Sequence, residues 1–344
     1  MLVKNEKLLG KLLLVSLFII LIQVMIGGIT RLTGSGLSMT DWNLIMGVFP
    51  PISQADWLTE FAQYKNSPQY LKLNEGMQLS EFKFIYFWEW FHRVWGRIGF
   101  LFLLGILAFF TFTKKLDKTN FLRFGILLFL YLCQGLLGWW MVKSGLINNP
   151  YVSHYRLASH LLLAIVLFSY ILWWAVQLLV NKNERVEANG FKSFAWFSIA
   201  LIVLQIVFGA FMSGLKIAGR YPSWPDMNGS FIPETIFSIE PFYRNFLENP
   251  ATIQFTHRGL AYILLVVLIA YFVKARKLNG FKTFTKTLNV LPIVLVVQIL
   301  LGILTVITAS GDKVSIGLGA AHQVTGLILL STVLFLNFQL KKNN

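Results

Sequence analysis

The residues whose types and spacing suggest chemistry begin with a glutamate and a histidine on one apolar stretch. Glu89 and His92 lie three residues apart, near the start of an apolar run from Phe82 to Phe112. Residues three apart share one face of an α-helix, so the carboxylate and the imidazole are expected to be neighbours. Ionisable groups inside a membrane span cost about 2.5–3.5 kcal/mol each on insertion scales, which makes this pair a functional hypothesis. The alternative is that Glu89 only orients His92 and faces a hydrated vestibule.

Four histidines occupy related positions, each near the outward end of an apolar run. They are His92, His160, His257 and His322. The preceding run in each case carries a glutamine followed four residues later by a glycine: Gln23 and Gly27, Gln134 and Gly138, Gln205 and Gly209, and Gln298 and Gly302. The spacing recurs four times, which indicates an internal repeat. His154 has no counterpart in the second half, and we interpret it as a surface or vestibule residue.

The histidine pattern favours a heme site in each half of the chain. Two histidines in each half project from separate helices at similar depth, and four-helix bundles build cofactor sites from facing helices. Two neutral imidazoles suit the axial positions of heme iron. Zinc requires three or four ligands close together, and no third ligand is evident in either half. The remaining alternative is that the histidines are hydrogen-bonding groups in helix packing.

Arginines near these histidines are candidates for contacts with the heme propionates. Arg93 follows His92, Arg258 follows His257, and Arg31 lies at the same outer rim. Guanidinium groups pair with carboxylates in planar, bidentate fashion, so the propionates are expected to point outward. The alternatives are a helix-positioning role and snorkelling toward lipid headgroups.

The elements that must position these residues are membrane helices. The 344 residues are 56% hydrophobic and 13% charged, which is typical of a polytopic helical membrane protein. We predict an all-α membrane protein with eight transmembrane helices arranged as two pseudo-repeated four-helix bundles. The predicted halves are residues 1–180 and 181–344. The predicted spans lie near residues 12–30, 84–112, 121–142, 154–180, 193–214, 251–273, 287–309 and 316–339.

The net charge of +15 does not indicate nucleic-acid binding, because the basic residues gather in alternate loops. These clusters are Lys4, Lys7 and Lys11; Lys114, Lys115, Lys118 and Arg123; Lys182, Arg185 and Lys192; Lys274, Arg276, Lys277, Lys282 and Lys286; and Lys341 and Lys342. This positive-inside pattern predicts that both termini are cytoplasmic and that the long loops, about residues 31–83 and 215–250, face outward. A bacterial inner membrane is the expected location, with membrane lipid as the surrounding partner.

Several stretches resemble heme A synthases of the bacterial and mitochondrial branch that lacks paired loop cysteines. The glutamate-to-histidine motif and the loop after the fifth span are the specific features. The similar stretches are Gly27–Ser38, Asp41–Trp42, Gly47–Pro51, Asn74–Lys83, Trp88–Arg93, Val152–Arg156, Gly209–Leu215, Trp224–Gly229, Gln254–Arg258 and Ala321–Gln323. They span nearly the whole chain. Lys216 departs from the pattern, since an aspartate is expected there in many relatives.

The resemblance implies an oxidoreductase that hydroxylates the ring-D methyl group of heme O twice, after which loss of water leaves the formyl group of heme A. It implies that His92 and His160 hold heme O as substrate, and that His257 and His322 hold a resident heme B. Glu89 is then the catalytic candidate that receives protons. The implied partners are a heme O synthase upstream, cytochrome oxidase assembly, and an electron acceptor that the residues do not identify.

Alternative functions make different demands on the sequence. A non-enzymatic diheme b-type cytochrome accounts for the four histidines equally well, but not for Glu89 standing in one half where the other half has Gln254. A prenyltransferase requires aspartate-rich magnesium motifs, which this sequence lacks. A small-solute transporter is compatible with an internal duplication. The absence of heme absorbance from the purified protein would favour a transporter.

Overall fold

The computed structural model describes residues 2–41, 46–147, 149–181, 185–188, 190–278 and 280–341. Trp42, Lys182 and Lys342, and the side chain of Lys4, lie outside the described residues. The elements in chain order are α1 (Leu2–Leu32), α2 (Gln54–Lys65), α3 (Pro68–Leu73), α4 (Leu79–Phe112), α5 (Lys118–Lys143), α6 (His154–Leu179), β1 (Val186–Glu187), α7 (Phe191–Leu215), α8 (Asn245–Glu248), α9 (Pro250–Ala275), α10 (Lys282–Ile307), α11 (Ile316–Gln339) and β2 (Leu340–Lys341).

Within the described residues, eight helices are long and apolar enough to cross a membrane, which confirms the predicted all-α membrane protein. They are α1, from Asn5 onward, α4, α5, α6, α7, α9, α10 and α11. Several begin earlier than predicted, because polar residues extend a helix without adding to its hydropathy. Thus α10 begins at Lys282 rather than near residue 287, and it ends at Ile307 rather than near residue 309.

The helix α4 is longer than a membrane span requires. Its 34 residues correspond to about 51 Å at 1.5 Å per residue, whereas the hydrocarbon core is about 30 Å thick. A capping box formed by Gln78 and Glu81 fixes its start. The first turns of α4 therefore extend beyond the apolar layer, and they are available to pack against the loop that precedes them.

That loop contains two helices, α2 and α3, that the hydropathy pattern did not predict. Ser53 and Asp56 form a capping box at the start of α2, and Ser67 caps α3 ahead of Pro68. A serine followed by an acidic residue three positions later, and a proline in the first helical turn, are known helix-start signals. These local signals were present in the sequence, but both helices are too short and polar to resemble a span.

An aromatic cluster joins this loop to the first turns of α4. Phe82 stacks on Phe61 and on Tyr64, with ring centroids 5.0 and 5.1 Å apart. Tyr64 is fully buried and donates its hydroxyl hydrogen bond to Gln69, while Gln69 donates to the backbone carbonyl of Gly34. Burial raises the pKa of Tyr64 to about 12, so its hydroxyl stays protonated and keeps this bond. The cluster thereby attaches the loop after α1 to α4.

The chain forms two compact units. One comprises residues 16–167, and the other comprises residues 1–15 and 168–344. In the second unit, α7 packs on α9, α10 on α11, α11 on α7, and α9 on α10, which closes a ring of four helices. The strands β1 and β2 of this unit pair in parallel, with Val186 opposite Leu340. The two-bundle repeat and the division at residues 180 and 181 stay predictions.

Candidate functional site

In the unit formed by residues 16–167, His92 lies on α4 and His160 lies on α6. This unit therefore contains both histidines of the predicted pair. Each ring is half-buried within its span, which leaves part of its surface open beside the helices. Each ring also faces a glycine of the preceding transmembrane helix. A Cβ atom at Gly27 would lie 3.0 Å from Cε1 of His92, and one at Gly138 would lie 3.1 Å from Cε1 of His160.

The other unit contains the same arrangement, with His257 on α9 and His322 on α11. Both histidines are also half-buried. A Cβ atom at Gly209 would lie 3.2 Å from Cε1 of His257, and one at Gly302 would lie 2.9 Å from Cε1 of His322. All four rings therefore occupy space that a larger residue on the neighbouring helix would fill.

The glutamines of the repeated motif contact the same four histidines. Nε2 of Gln23 donates to the backbone carbonyl of His92 at 3.1 Å, and Gln134 and Gln205 make the equivalent bond to His160 and His257 at 3.0 Å. Gln298 contacts His322 through its side chain and its backbone. The sequence singled out these glutamines by their spacing, but it gave no indication that they touch the histidines.

These residues fit two axial imidazoles for heme iron in each unit. Imidazole nitrogen is a suitable axial ligand, and each unit offers two half-buried histidines whose rings pack against glycines of the neighbouring helices. Across the described part of the chain, no three His, Cys, Asp or Glu side chains form a group that could hold a metal ion. The donor set therefore matches a macrocycle that supplies its own equatorial ligands rather than a protein-only metal site.

Glu89 is 3% exposed and accepts hydrogen bonds through both of its oxygens. Oε1 accepts from the Arg93 guanidinium at 2.6 Å. Oε2 accepts from the backbone N–H and the hydroxyl of Ser38, both at 2.7 Å, and from the backbone N–H of Met39 at 2.9 Å. Every partner is a donor, which suits an ionised carboxylate. Glu89 thus attaches the loop after α1 to α4, a contact that the sequence could not reveal.

The corresponding position in the other unit is Gln254, which is fully buried and reverses the polarity of this contact. Its Nε2 donates to the backbone carbonyls of Ala218 and Tyr221, at 3.3 and 3.1 Å. Glu89 accepts from backbone N–H groups, whereas Gln254 donates to carbonyl groups. Both side chains attach the outer loop to the histidine helix, but one of them is an acid and the other is not.

The arginines that follow the histidines also hold these loops. Arg93 donates to the backbone carbonyls of Met39 and Asp41, in addition to Glu89. Arg258 donates to three backbone carbonyls, those of Tyr221, Ser223 and Asp226, at 2.6–3.0 Å. These contacts attach the outer loops to α4 and α9. The propionate and helix-positioning roles of both arginines stay predictions.

Arg31 and His154 lie at helix ends. Arg31 occupies the last turn of α1 and is half-buried. His154 begins α6 and packs against Tyr155, with ring centroids 4.0 Å apart and the rings tilted by 36°. Its ring is half-buried at the end of the helix, six residues before His160.

Comparisons with known proteins match nearly the whole chain. A family model described as "COX15-CtaA: Cytochrome oxidase assembly protein" matches residues 10–334. A heme A synthase of Flavobacterium johnsoniae is 39% identical over 328 residues, which cover 94% of this chain and 95% of that protein. A heme A synthase of Nitrosospira multiformis is 41% identical over 93% of this chain and 90% of its own length. A heme A synthase of Ehrlichia canis is 42% identical over 91% of this chain and 87% of its own length.

Proposed function

This chain belongs to the COX15-CtaA family of cytochrome oxidase assembly proteins, and from that premise we propose that it is a heme A synthase. The observation that carries the proposal is the near-full-length similarity to heme A synthases, at 39–42% identity in the three relatives above. The chain is a multi-pass membrane oxidoreductase that acts on heme O in the biosynthesis of heme A. Two successive hydroxylations of the ring-D methyl group and loss of water give the formyl group.

We assign the substrate to the half formed by residues 1–180 and a resident heme B to the half formed by residues 181–344. His92 and His160 then hold heme O, and His257 and His322 hold heme B. When bound, heme B supplies a one-electron redox centre. The difference between Glu89 and Gln254 supports this division, because only the first half has an acid three residues before its histidine. The two halves are proposed to be pseudo-repeats of one four-helix unit.

Within the substrate half, Glu89 is proposed to accept a proton released as the methyl C–H bond is oxidised. Its position one helical turn before His92 supports this role, and its four hydrogen-bond donors fix the position of the carboxyl group. Arg93 holds the carboxylate in place. Arg31, Arg93 and Arg258 are proposed to contact heme propionates. A guanidinium has five N–H groups, and the described carbonyl contacts of Arg258 use three of them.

The proposed location is the bacterial inner membrane, with both termini in the cytoplasm. The alternating basic loops support this orientation, and eight spans return the chain to its starting side. The proposed partners are a heme O synthase that supplies the substrate, the electron acceptor for the oxidation, and membrane lipid.

The function is tested by extracting pigments after co-expression with a heme O-producing strain and separating them by chromatography. Heme A is the expected product. His257→Ala and His322→Ala should remove the resident heme B spectrum, whereas His92→Ala and His160→Ala should retain it and stop heme A formation. Normal binding of two hemes without any heme A would instead indicate a diheme electron-transfer cytochrome. Equal loss of one spectral species in all four variants would contradict the division between halves.

A further inference from the structure

We propose that Gln23, Gln134, Gln205 and Gln298 are positioning residues for the four histidines, and that each sets the orientation of one axial imidazole. The proposal rests on the proposed function insofar as it takes the histidines to be heme ligands. It adds a residue at each ligand, on a different helix from the ligand itself.

The directed part of the contact is a hydrogen bond to the backbone of the histidine. In three of the sites, the glutamine Nε2 donates to the histidine carbonyl at 3.0–3.1 Å. These distances are close to the usual value for N–H···O bonds. The bond joins two transmembrane helices at the level of the ligand. In a membrane interior, where water is absent, such interhelical bonds are among the forces that hold helices together.

The same amide lies against the imidazole ring. Nε2 of Gln23 is 3.1 Å from Nδ1 and 3.3 Å from Nε2 of His92, and Nε2 of Gln134 is 3.3 and 3.2 Å from the same atoms of His160. Because the amide is nearly equidistant from both ring nitrogens, it does not point along the lone pair of one of them. The contact therefore limits rotation of the ring.

Small residues surround the amide and the ring. The glycine one turn after each glutamine faces Cε1 of the imidazole at 2.9–3.2 Å from its would-be Cβ. On the histidine helix, the residue four positions after the histidine is also small: Gly96, Ala164, Ala261 and Gly326. A Cβ atom at Gly96 would lie 3.4 Å from Nε2 of Gln23, and one at Gly326 would lie 3.3 Å from Nε2 of Gln298. The small residues leave room for both the glutamine amide and the imidazole ring, but little space for either group to rotate.

At the fourth site, Gln298 contacts the ring of His322 through its backbone as well as its side chain. His322 donates from Nδ1 to the backbone carbonyl of Gln298 at 3.2 Å, and the side-chain Nε2 of Gln298 is 3.4 Å from Nε2 of His322. A ligating histidine usually donates its second ring N–H to a carboxylate, a carbonyl or water, which fixes the tautomer and the ring orientation. The contact of His322 through Nδ1 has that form.

All four glutamines also share an unpaired amide oxygen in the described part of the chain. Oε1 of each is buried and has no hydrogen-bond partner among the residues that the structure describes. An unpaired buried carbonyl is costly, so a glutamine is an unfavourable choice if these positions serve only apolar packing. Its presence at four equivalent positions is explained if the amide N–H groups are needed at the histidine.

The proposal is tested with the holoprotein on the resident heme, whose signal does not depend on turnover. In Gln205→Leu the amide is removed while side-chain size is nearly retained. Loss of a ligand's orienting partner typically costs about 10–100-fold in metal affinity. We expect heme B to transfer to an acceptor apoprotein about 10–100-fold faster than from wild type, and the low-spin ferric electron paramagnetic resonance signal to shift or broaden. Gly209→Ala, which presses a methyl group on Cε1 of His257, should alter the same signal.

The controls separate this proposal from the proposed function. Gln177→Leu lies on α6, outside the helices α7, α9, α10 and α11 that carry the glutamines and histidines of the resident-heme half. It should leave the heme transfer rate and the spectrum as in wild type. His257→Ala should abolish the signal. If His257→Ala abolishes it and both Gln205→Leu and Gly209→Ala leave rate and spectrum unchanged, the positioning role is wrong while the ligand assignment stands. If His257→Ala retains the signal, the ligand assignment and the positioning role built on it are both wrong.

Discussion

At the scale of single residues, Glu89 has an observed role in holding a loop and a proposed role as a proton acceptor. Its carboxylate holds the loop after α1 through Ser38 and Met39, and it pairs with Arg93. All of these partners donate, so a glutamine amide nitrogen would face a donor in either orientation. A simple Glu89→Gln replacement therefore weakens the loop contact as well as removing the proton acceptor.

We expect Glu89→Gln to lower heme A formation by about 10²–10⁴-fold, the usual contribution of a general acid or base. Ser38→Ala is the matched control, since it removes one hydroxyl donor and leaves the carboxylate. Its effect should be much smaller. Heme A formed per enzyme-bound heme, at equal expression, measures both. Equal losses in the two variants would leave Glu89 as a loop anchor without a role in proton transfer.

The sequence identified the ionisable residues of the site but not their partners. Glu89 and the histidines are conspicuous because charged and polar groups are rare inside apolar runs. Ser38 lies 51 positions from Glu89, and no periodicity links a loop hydroxyl to a distant helix. The backbone carbonyls that bind Arg93 and Arg258 were equally unpredictable, because they depend on how the outer loops fold back.

At the scale of elements, membrane helices were predictable because their apolar length is set by the bilayer. Their ends were less so: α4 begins at Leu79 and α10 at Lys282, where polar residues continue the helix past the apolar run. The hydropathy pattern did not predict the outer helices α2 and α3. Their stability comes from capping and from the aromatic cluster around Phe82, and neither of these affects hydropathy.

The outer loop after α7 is joined to the α10–α11 turn by an antiparallel bridge between Gly219 and Gly311. A Cβ atom at Gly219 would overlap the carbonyl oxygen of Gly311. We expect Gly219→Ala to lower the free energy of unfolding by about 1–3 kcal/mol, as overpacking usually does. Thermal unfolding in detergent measures the change.

Gly317→Ala is the control for that experiment. Gly317 lies in α11, and its Cβ would meet nothing within 4 Å. Alanine is a better helix former than glycine by about 0.5–1 kcal/mol, so this variant should be as stable as wild type or slightly more so. If Gly219→Ala unfolds at the same temperature as Gly317→Ala, the bridge does not constrain the loop.

At the scale of the whole molecule, the orientation in the membrane follows from charge. Reporter fusions between residues 114 and 120 should report the cytoplasm, because Lys114, Lys115 and Lys118 cluster there. Fusions between residues 65 and 74 should report the outside, because the long loop that contains them mixes basic and acidic residues. The parallel pairing of β1 with β2 adds a check, since it places the chain after α11 beside the segment after α6. Fusions after α6 and after α11 should report the same side of the membrane. A cytoplasmic signal at residues 65–74 with an outside signal at residues 114–120 would overturn the orientation.

The glutamine contacts have a consequence for how the protein is made. Each of them joins a transmembrane helix to the next one along the chain: α1 to α4, α5 to α6, α7 to α9, and α10 to α11. A helical hairpin can enter the bilayer as a pair during synthesis, so each imidazole acquires its orienting partner as soon as its own hairpin is inserted. The two imidazoles of a unit belong to different hairpins. Membrane insertion thus orients each imidazole within its own hairpin, before the two hairpins of a unit pack together.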